Sequence, residues 1–192
     1  MTKGRMEAFS DGMIAIIITI MVLELKVPHG VRLQDLAPVL PTFLSYVLSF
    51  VYVGIYWNNH HHMLHVVRTV NGPMLWANLH MLFWLSVVPF VSAWMGENHL
   101  STWPVVLYGG VLLMNACAYT LLTTLAIQHE GPDSDLAQAV GSDFKGKVSL
   151  VIYVVAIAAA FFAPLVSIAL YVTVAAMWFI PDRRVERVLG MS

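Results

Sequence analysis

Residues 5–25 read RMEAFSDGMIAIIITIMVLEL, and the fold class follows from this stretch. Arg5 and the pair Ser10-Asp11 open an apolar run, and after Asp11 the chain stays almost wholly apolar until Glu24. A helix needs about 20 mostly apolar residues to cross a hydrocarbon core, and this run supplies them. Charge near the head of such a helix is expensive, so it calls for a partner and a purpose. A cleavable signal peptide is not expected: the apolar run is too long, its start is polar, and no small-residue cleavage site follows. The first helix is therefore expected to stay.

The remainder of the chain agrees. Of its 192 residues 59% are hydrophobic and only 11% charged, with mean hydropathy +0.75. Soluble domains carry about a quarter charged residues, so composition points to an all-α integral membrane protein. The formal net charge of -1 leaves no basic face for nucleic acid. Cys117 is the single cysteine, so an intrachain disulfide is excluded, and its apolar setting predicts simple packing.

Hydropathy and turn signals divide the chain into six expected transmembrane helices, one unit per chain. The spans run from about Glu7 to Val27, Ala37 to His65, Met74 to Met95, Pro104 to Gln128, Val148 to Phe162, and Leu165 to Ile180. Pro28-His29-Gly30 ends the first, and Asn71-Gly72-Pro73 marks the turn before the third. Pro164 separates the last two spans with no charged loop, which predicts a tight hairpin. Lys3, Arg5, Arg68, Lys145, Lys147, Arg183, Arg184 and Arg187 gather on one side of this arrangement, and Lys26 and Arg32 on the other. Positive charge favours the cytoplasm, so both termini are expected there, in a multi-pass protein of the cell inner or plasma membrane. Trp94, Trp103, Tyr108 and Trp178 fall near span ends, as an aromatic belt requires. No second copy of Phe9-Ser10-Asp11 exists, which excludes an internal duplication of that segment, and DRRVERVLGMS reads as a short basic tail.

Helical periodicity assigns faces to the first span. Ile16, Ile20, Leu23 and Val27 share one stripe, with Thr19 at its edge, while Asp11 lies about 140° round from Ile16. The polar head and the apolar stripe therefore meet different neighbours. The stripe suits lipid contact or helix packing, as in most membrane helices. It equally suits a pore wall, where apolar rings gate by excluding water and the Thr19 hydroxyl replaces part of a cation's hydration. Periodicity does not choose between them.

A resemblance does. Arg5-x-x-x-Phe9-Ser10-Asp11, the run Gly12 to Thr19, and the Leu23-Glu24-Leu25 end resemble the signature first helix of the bacterial transmembrane-protein-175 family of potassium channels. The segments Tyr56-Trp57-Asn58-Asn59-His60-His61, Leu75-Trp76-Ala77-Asn78-Leu79 and Pro89-Phe90 to Gly96-Glu97 extend the likeness over most of the chain. The resemblance implies a homotetramer whose four first helices line the pore, with no TVGYG filter; this sequence has none either. It implies that Ile16 forms the constriction, that Thr19 serves selectivity, and that Ile20 and Leu23 continue the wall outward. Many bacterial relatives carry leucine where this chain has Ile16, which keeps apolar bulk and bears on ring width. Arg5, Phe9, Ser10 and Asp11 are implied to anchor the helix rather than touch ions. A buried Asp11 needs hydrogen-bond donors, and the expected partners are His60, His61, Trp76 and Asn78. Potassium enters as the permeant ion and no other cofactor is implied.

Other constellations in the sequence admit different readings. His60, His61, His62 and His65 invite a metal reading, and His61 and His65 share a helix face. No nearby carboxylate or cysteine completes a ligand set and HExxH is missing, so no metal is expected. The same histidines, titrating near neutrality, allow a pH-sensitive network or a proton-coupled carrier. A secondary transporter is the rival function, although the repeats and broken helices usual in that class are missing. Glu24 and Glu97 read as solvated interfacial carboxylates, Glu24 alternatively drawing cations to the outer mouth. No Ser–His–Asp set or buried carboxylate pair supports an enzyme.

Overall fold

The computed structural model describes residues 2–179; the tail with Arg183, Arg184 and Arg187, and Ile180 at the expected end of the last span, lie outside them. The described residues form seven α-helices and one 3₁₀ segment: α1 Lys3–Leu23, the 3₁₀ segment Leu33–Val39, α2 Leu40–Val66, α3 Gly72–Glu97, α4 Thr102–Glu130, α5 Asp135–Val140, α6 Phe144–Ala160 and α7 Pro164–Phe179. Among the described residues four stretches are long and apolar enough to cross a membrane: α1, Leu33–Val66, α3 and α4. Helices α6 and α7, with 17 and 16 residues, are shorter.

Local chemistry sets the boundaries. Helix α1 ends at Leu23 with Glu24 as its C-cap, and beyond it Pro28 disfavours helical geometry at Val27. Glu24, Leu25 and Val27 therefore lie beyond the helix, so Val27 does not extend its stripe. The Asn71 side chain accepts the Met74 amide at 3.0 Å and Pro73 occupies the first turn, which together start α3. The polar loop after α4 contains the short helix α5, capped by Ser134 accepting from the Ala137 amide. Asp143, in left-handed geometry at φ 45°, caps α6 by accepting the Gly146 amide at 3.2 Å.

Helix α3 is the hub and packs against α1, α2 and α4; α6 packs on α4 and α7, and α7 also reaches α2. Glycines permit two of these crossings. A Cβ on Gly96 would land on the Thr42 backbone, and one on Gly109 would strike the Tyr171 hydroxyl. The interior is apolar, with polar side chains that tie helices together. Ser49 bonds Ser92 at 2.8 Å and Tyr108 at 3.0 Å. Tyr52 donates to the Tyr171 carbonyl at 2.6 Å, and Tyr171 donates to the Val105 carbonyl at 3.2 Å. The outside is greasy as well: Phe43, Leu44 and Phe50 of α2, Phe83 and Phe90 of α3, and Val151, Val154 and Val155 of α6 are exposed. Such a surface suits lipid rather than water. Cys117 is a free cysteine on the exposed surface of α4.

Candidate ion pathway

Helix α1 divides cleanly into two faces. Met6, Ser10, Ile14, Ile17 and Met21 are buried, at the spacing of one helical stripe. They face α2 and α3, the helices that α1 touches. On the other side Ile16 is 57% exposed, Ile20 41% and Leu23 79%. Thr19 joins that exposed face. Its hydroxyl donates to its own helix, with the Ala15 and Ile16 carbonyls at 3.1 and 2.9 Å. The proton is thereby occupied and the oxygen lone pairs remain on the exposed side, able to accept from water or approach a cation.

The buried side holds a directed chain of hydrogen bonds. Ser10 donates to the Met6 carbonyl at 2.8 Å, so its oxygen must accept from Asn78 Nδ2, at 2.9 Å. That orientation points Asn78 Oδ1 at His60 Nε2, 2.8 Å away. An amide oxygen only accepts, so His60 must carry its proton on Nε2. All three side chains are buried. Removing any one strands its neighbour at a cost of about 1–3 kcal/mol.

Asp11 belongs to a second, more open cluster. Its Oδ1 accepts the Trp57 indole N–H at 3.0 Å. Trp57 stacks on His61 with centroids 6.1 Å apart, and His61 Nδ1 lies 3.4 Å from Glu7. The donor to Asp11 is therefore Trp57, not one of the four residues expected for it. Trp57 stands one turn before His61 on α2, and that spacing was the available signal. Glu7, four residues before Asp11 on the same face of α1, was likewise missed.

Three expected anchors stand elsewhere. Trp76 is 75% exposed, because it stands two positions before Asn78 and is turned about 200° away from it. Phe9 is 47% exposed; it lies two turns before Ile16 and so shares the open face rather than the buried one. Arg5 is exposed on that same face, and its side chain makes no hydrogen bond or ion pair among the described residues. Ser10, Asn78 and His60 come together in one cluster, and Asp11 and His61 in the other.

Among the described residues no three of His, Cys, Asp and Glu gather to hold a metal ion. At the opposite end of the bundle Lys26 pairs with Glu97, which was expected to be solvated. The hydrogen bond that Lys26 donates to Glu97, then the charge of Glu97, raises the Lys26 ammonium above its ordinary value. Both groups are substantially exposed, so the pair adds little stability.

Residues 5–89, which carry α1 to most of α3, match the family described as endosomal/lysosomal potassium channel TMEM175. The chain is 55% identical over 189 residues to a potassium channel of Chryseobacterium sp. strain P1-3, covering 98% of each chain. It is 33% identical over 128 residues to a potassium channel of Chamaesiphon minutus, covering 62% of this chain and 63% of the relative. The structure is similar to the crystal structure of a lysosomal potassium-selective channel TMEM175 homolog from Chamaesiphon minutus, at TM-score 0.76 and 27% identity, covering 92% of this chain and 95% of that one.

Proposed function

The chain belongs to the TMEM175 family of ion channels, and on that premise we propose that it is a potassium-selective passive channel. In this reading it is a homotetramer in the cell inner or plasma membrane, with both termini cytoplasmic and α6 and α7 as its fifth and sixth spans. Four copies of α1 line the pore. Ile16 forms a hydrophobic constriction, Thr19 replaces part of the ion's water, and Ile20 and Leu23 continue the wall. No TVGYG filter and no cofactor take part.

The observation that carries the reading is the exposed α1 stripe. A helix that buries Met6, Ser10, Ile14, Ile17 and Met21 against its own chain still leaves Ile16, Ile20 and Leu23 uncovered. The Thr19 lone pairs sit on that same side. An apolar neck with an accepting hydroxyl one turn away excludes water at rest and coordinates a dehydrated cation in passage.

The test is flux from purified protein in liposomes. Potassium should run down its gradient with no co-ion or proton, at rates far above a carrier's turnover. Strictly proton-coupled flux would replace the channel reading with a carrier using the histidines from His60 to His65.

A further inference from the structure

A cavity of about 40 Å³ lies among α2, α4, α6 and α7, away from the α1 stripe and at the end of the bundle that carries the N-terminus. This is room for roughly three water molecules, the bulk of a small organic ion. Its walls are aromatic. Tyr56 and Tyr119 stand edge to face at 6.1 Å, Tyr52 and Tyr153 lie 6.4 Å apart, and Trp178 completes the ring. The one charged group in the lining is the Asp143 carboxylate.

The polar groups in this wall have mostly spent their protons elsewhere. Tyr52 donates to the Tyr171 carbonyl, and Tyr119 to the Asn59 carbonyl at 3.2 Å. The Asn59 amide donates to the Ile55 carbonyl at 2.8 Å, and Thr120 to the Ala116 carbonyl at 2.9 Å. The Trp178 indole donates to Ser149 Oγ at 2.8 Å, and Ser149 donates onward to the Lys145 carbonyl at 2.7 Å. What remains toward the cavity is lone pairs, ring faces, a carboxylate and the hydroxyls of Tyr56 and Tyr153. Ring faces carry negative electrostatic potential and attract ammonium groups. Lys147 is a protein cation whose charge acts on Asp143, and its Nζ is held 2.8 Å from the Ser142 carbonyl.

We infer that this cavity binds a small organic ammonium ion, its charge set against Asp143 and its methyl groups against the tyrosine and Trp178 rings. An anion would face lone pairs and a carboxylate. A bare alkali ion would exchange its water for aromatic walls and the methyl groups of Ile55 and Ala116. The site is separate from the proposed pore, so it stands or falls without the channel reading.

Equilibrium dialysis of the purified full chain with trimethylammonium, in a constant sodium chloride background, tests it. The expected result is saturable binding, about tenfold weaker or more in Asp143→Asn, where asparagine still caps α6. Ala116→Leu, which fills the cavity from α4 and keeps the carboxylate, should abolish binding. The wild-type comparison with neutral tert-butanol needs no variant and should show much weaker uptake. No saturable binding, tert-butanol binding as tightly, or undiminished binding in both folded variants would overturn the inference. Displacement by potassium at equal concentration would overturn it too, in favour of an inorganic cation site.

Discussion

Trp57 of α2 donates its indole N–H to the Asp11 carboxylate of α1 at 3.0 Å, joining the two helices beside the proposed pore wall. The carboxylate is half-buried, so this bond helps to decide how α1 is turned relative to its own subunit. Trp57→Phe keeps the ring and removes the donor. It should destabilise the chain by about 0.5–1.5 kcal/mol, read as a lower unfolding temperature of the purified protein. Asp11→Ala should likewise harm assembly and stability more than selectivity. Normal assembly with altered ion preference would place Asp11 in the pore instead.

The Ser10–Asn78–His60 chain has one allowed direction, and its variants should divide accordingly. His60→Gln can still present an N–H to Asn78 Oδ1, whereas His60→Leu cannot. The leucine variant should lose about 1–3 kcal/mol and the glutamine variant clearly less, in thermal unfolding followed by circular dichroism. Equal loss in both would show that the ring's shape matters more than its proton.

Ile16→Asn should wet the proposed neck. Resting leak in liposomes should rise, or potassium should be discriminated less well from sodium. A well-folded variant with unchanged conductance and selectivity would remove Ile16 from the constriction.

Thr19→Val isolates the hydroxyl, because its proton bonds only to carbonyls of its own helix. The fold should tolerate the change. The potassium-to-sodium preference, read from the reversal potential under bi-ionic conditions, should fall.

Burial raises the Asp143 carboxyl above its ordinary value of 3.8, outweighing the Gly146 amide and the charge of Lys147, which both pull it down. The folded chain thus holds the proton more tightly than the unfolded one. The favourable contribution of Asp143 is therefore complete below the ordinary value and is lost as pH rises through the raised one. Asp143→Asn should melt at an equal or higher temperature than the parent at pH 7, with the gap closing as the pH falls below 3.8. A variant that melts lower at pH 7 would show that the ionised cap outweighs its desolvation.

Much of the architecture was readable along the chain. The Asn71-Gly72-Pro73 turn stands at the start of α3, and Pro164 at the start of α7, because proline and asparagine act within a few residues of themselves. The separation of Asp11 from Ile16 on α1 was also legible, since periodicity within one helix is local geometry. Partners across helices were not. Trp57 and Trp76 both carry an indole donor, and only the way α2 and α3 lie against α1 decides that Trp57 meets Asp11 while Trp76 faces out. Helix α5 escaped notice because a six-residue helix in a polar loop has too little apolar pattern to reveal itself.

The directed hydrogen-bond chain at Ser10 turns the short stretch Gly12 to Ala15 into a ruler. Gly12 and Ala15 are exposed and can change with little consequence for the aim of Ile16, whereas Ile14 is held in the core and the length of the stretch is fixed. One alanine inserted there would swing everything beyond it by about 100° while Ser10 stayed clamped to Asn78. Beside the clamp at Ser10, what this stretch contributes to the wall's direction is a count of residues.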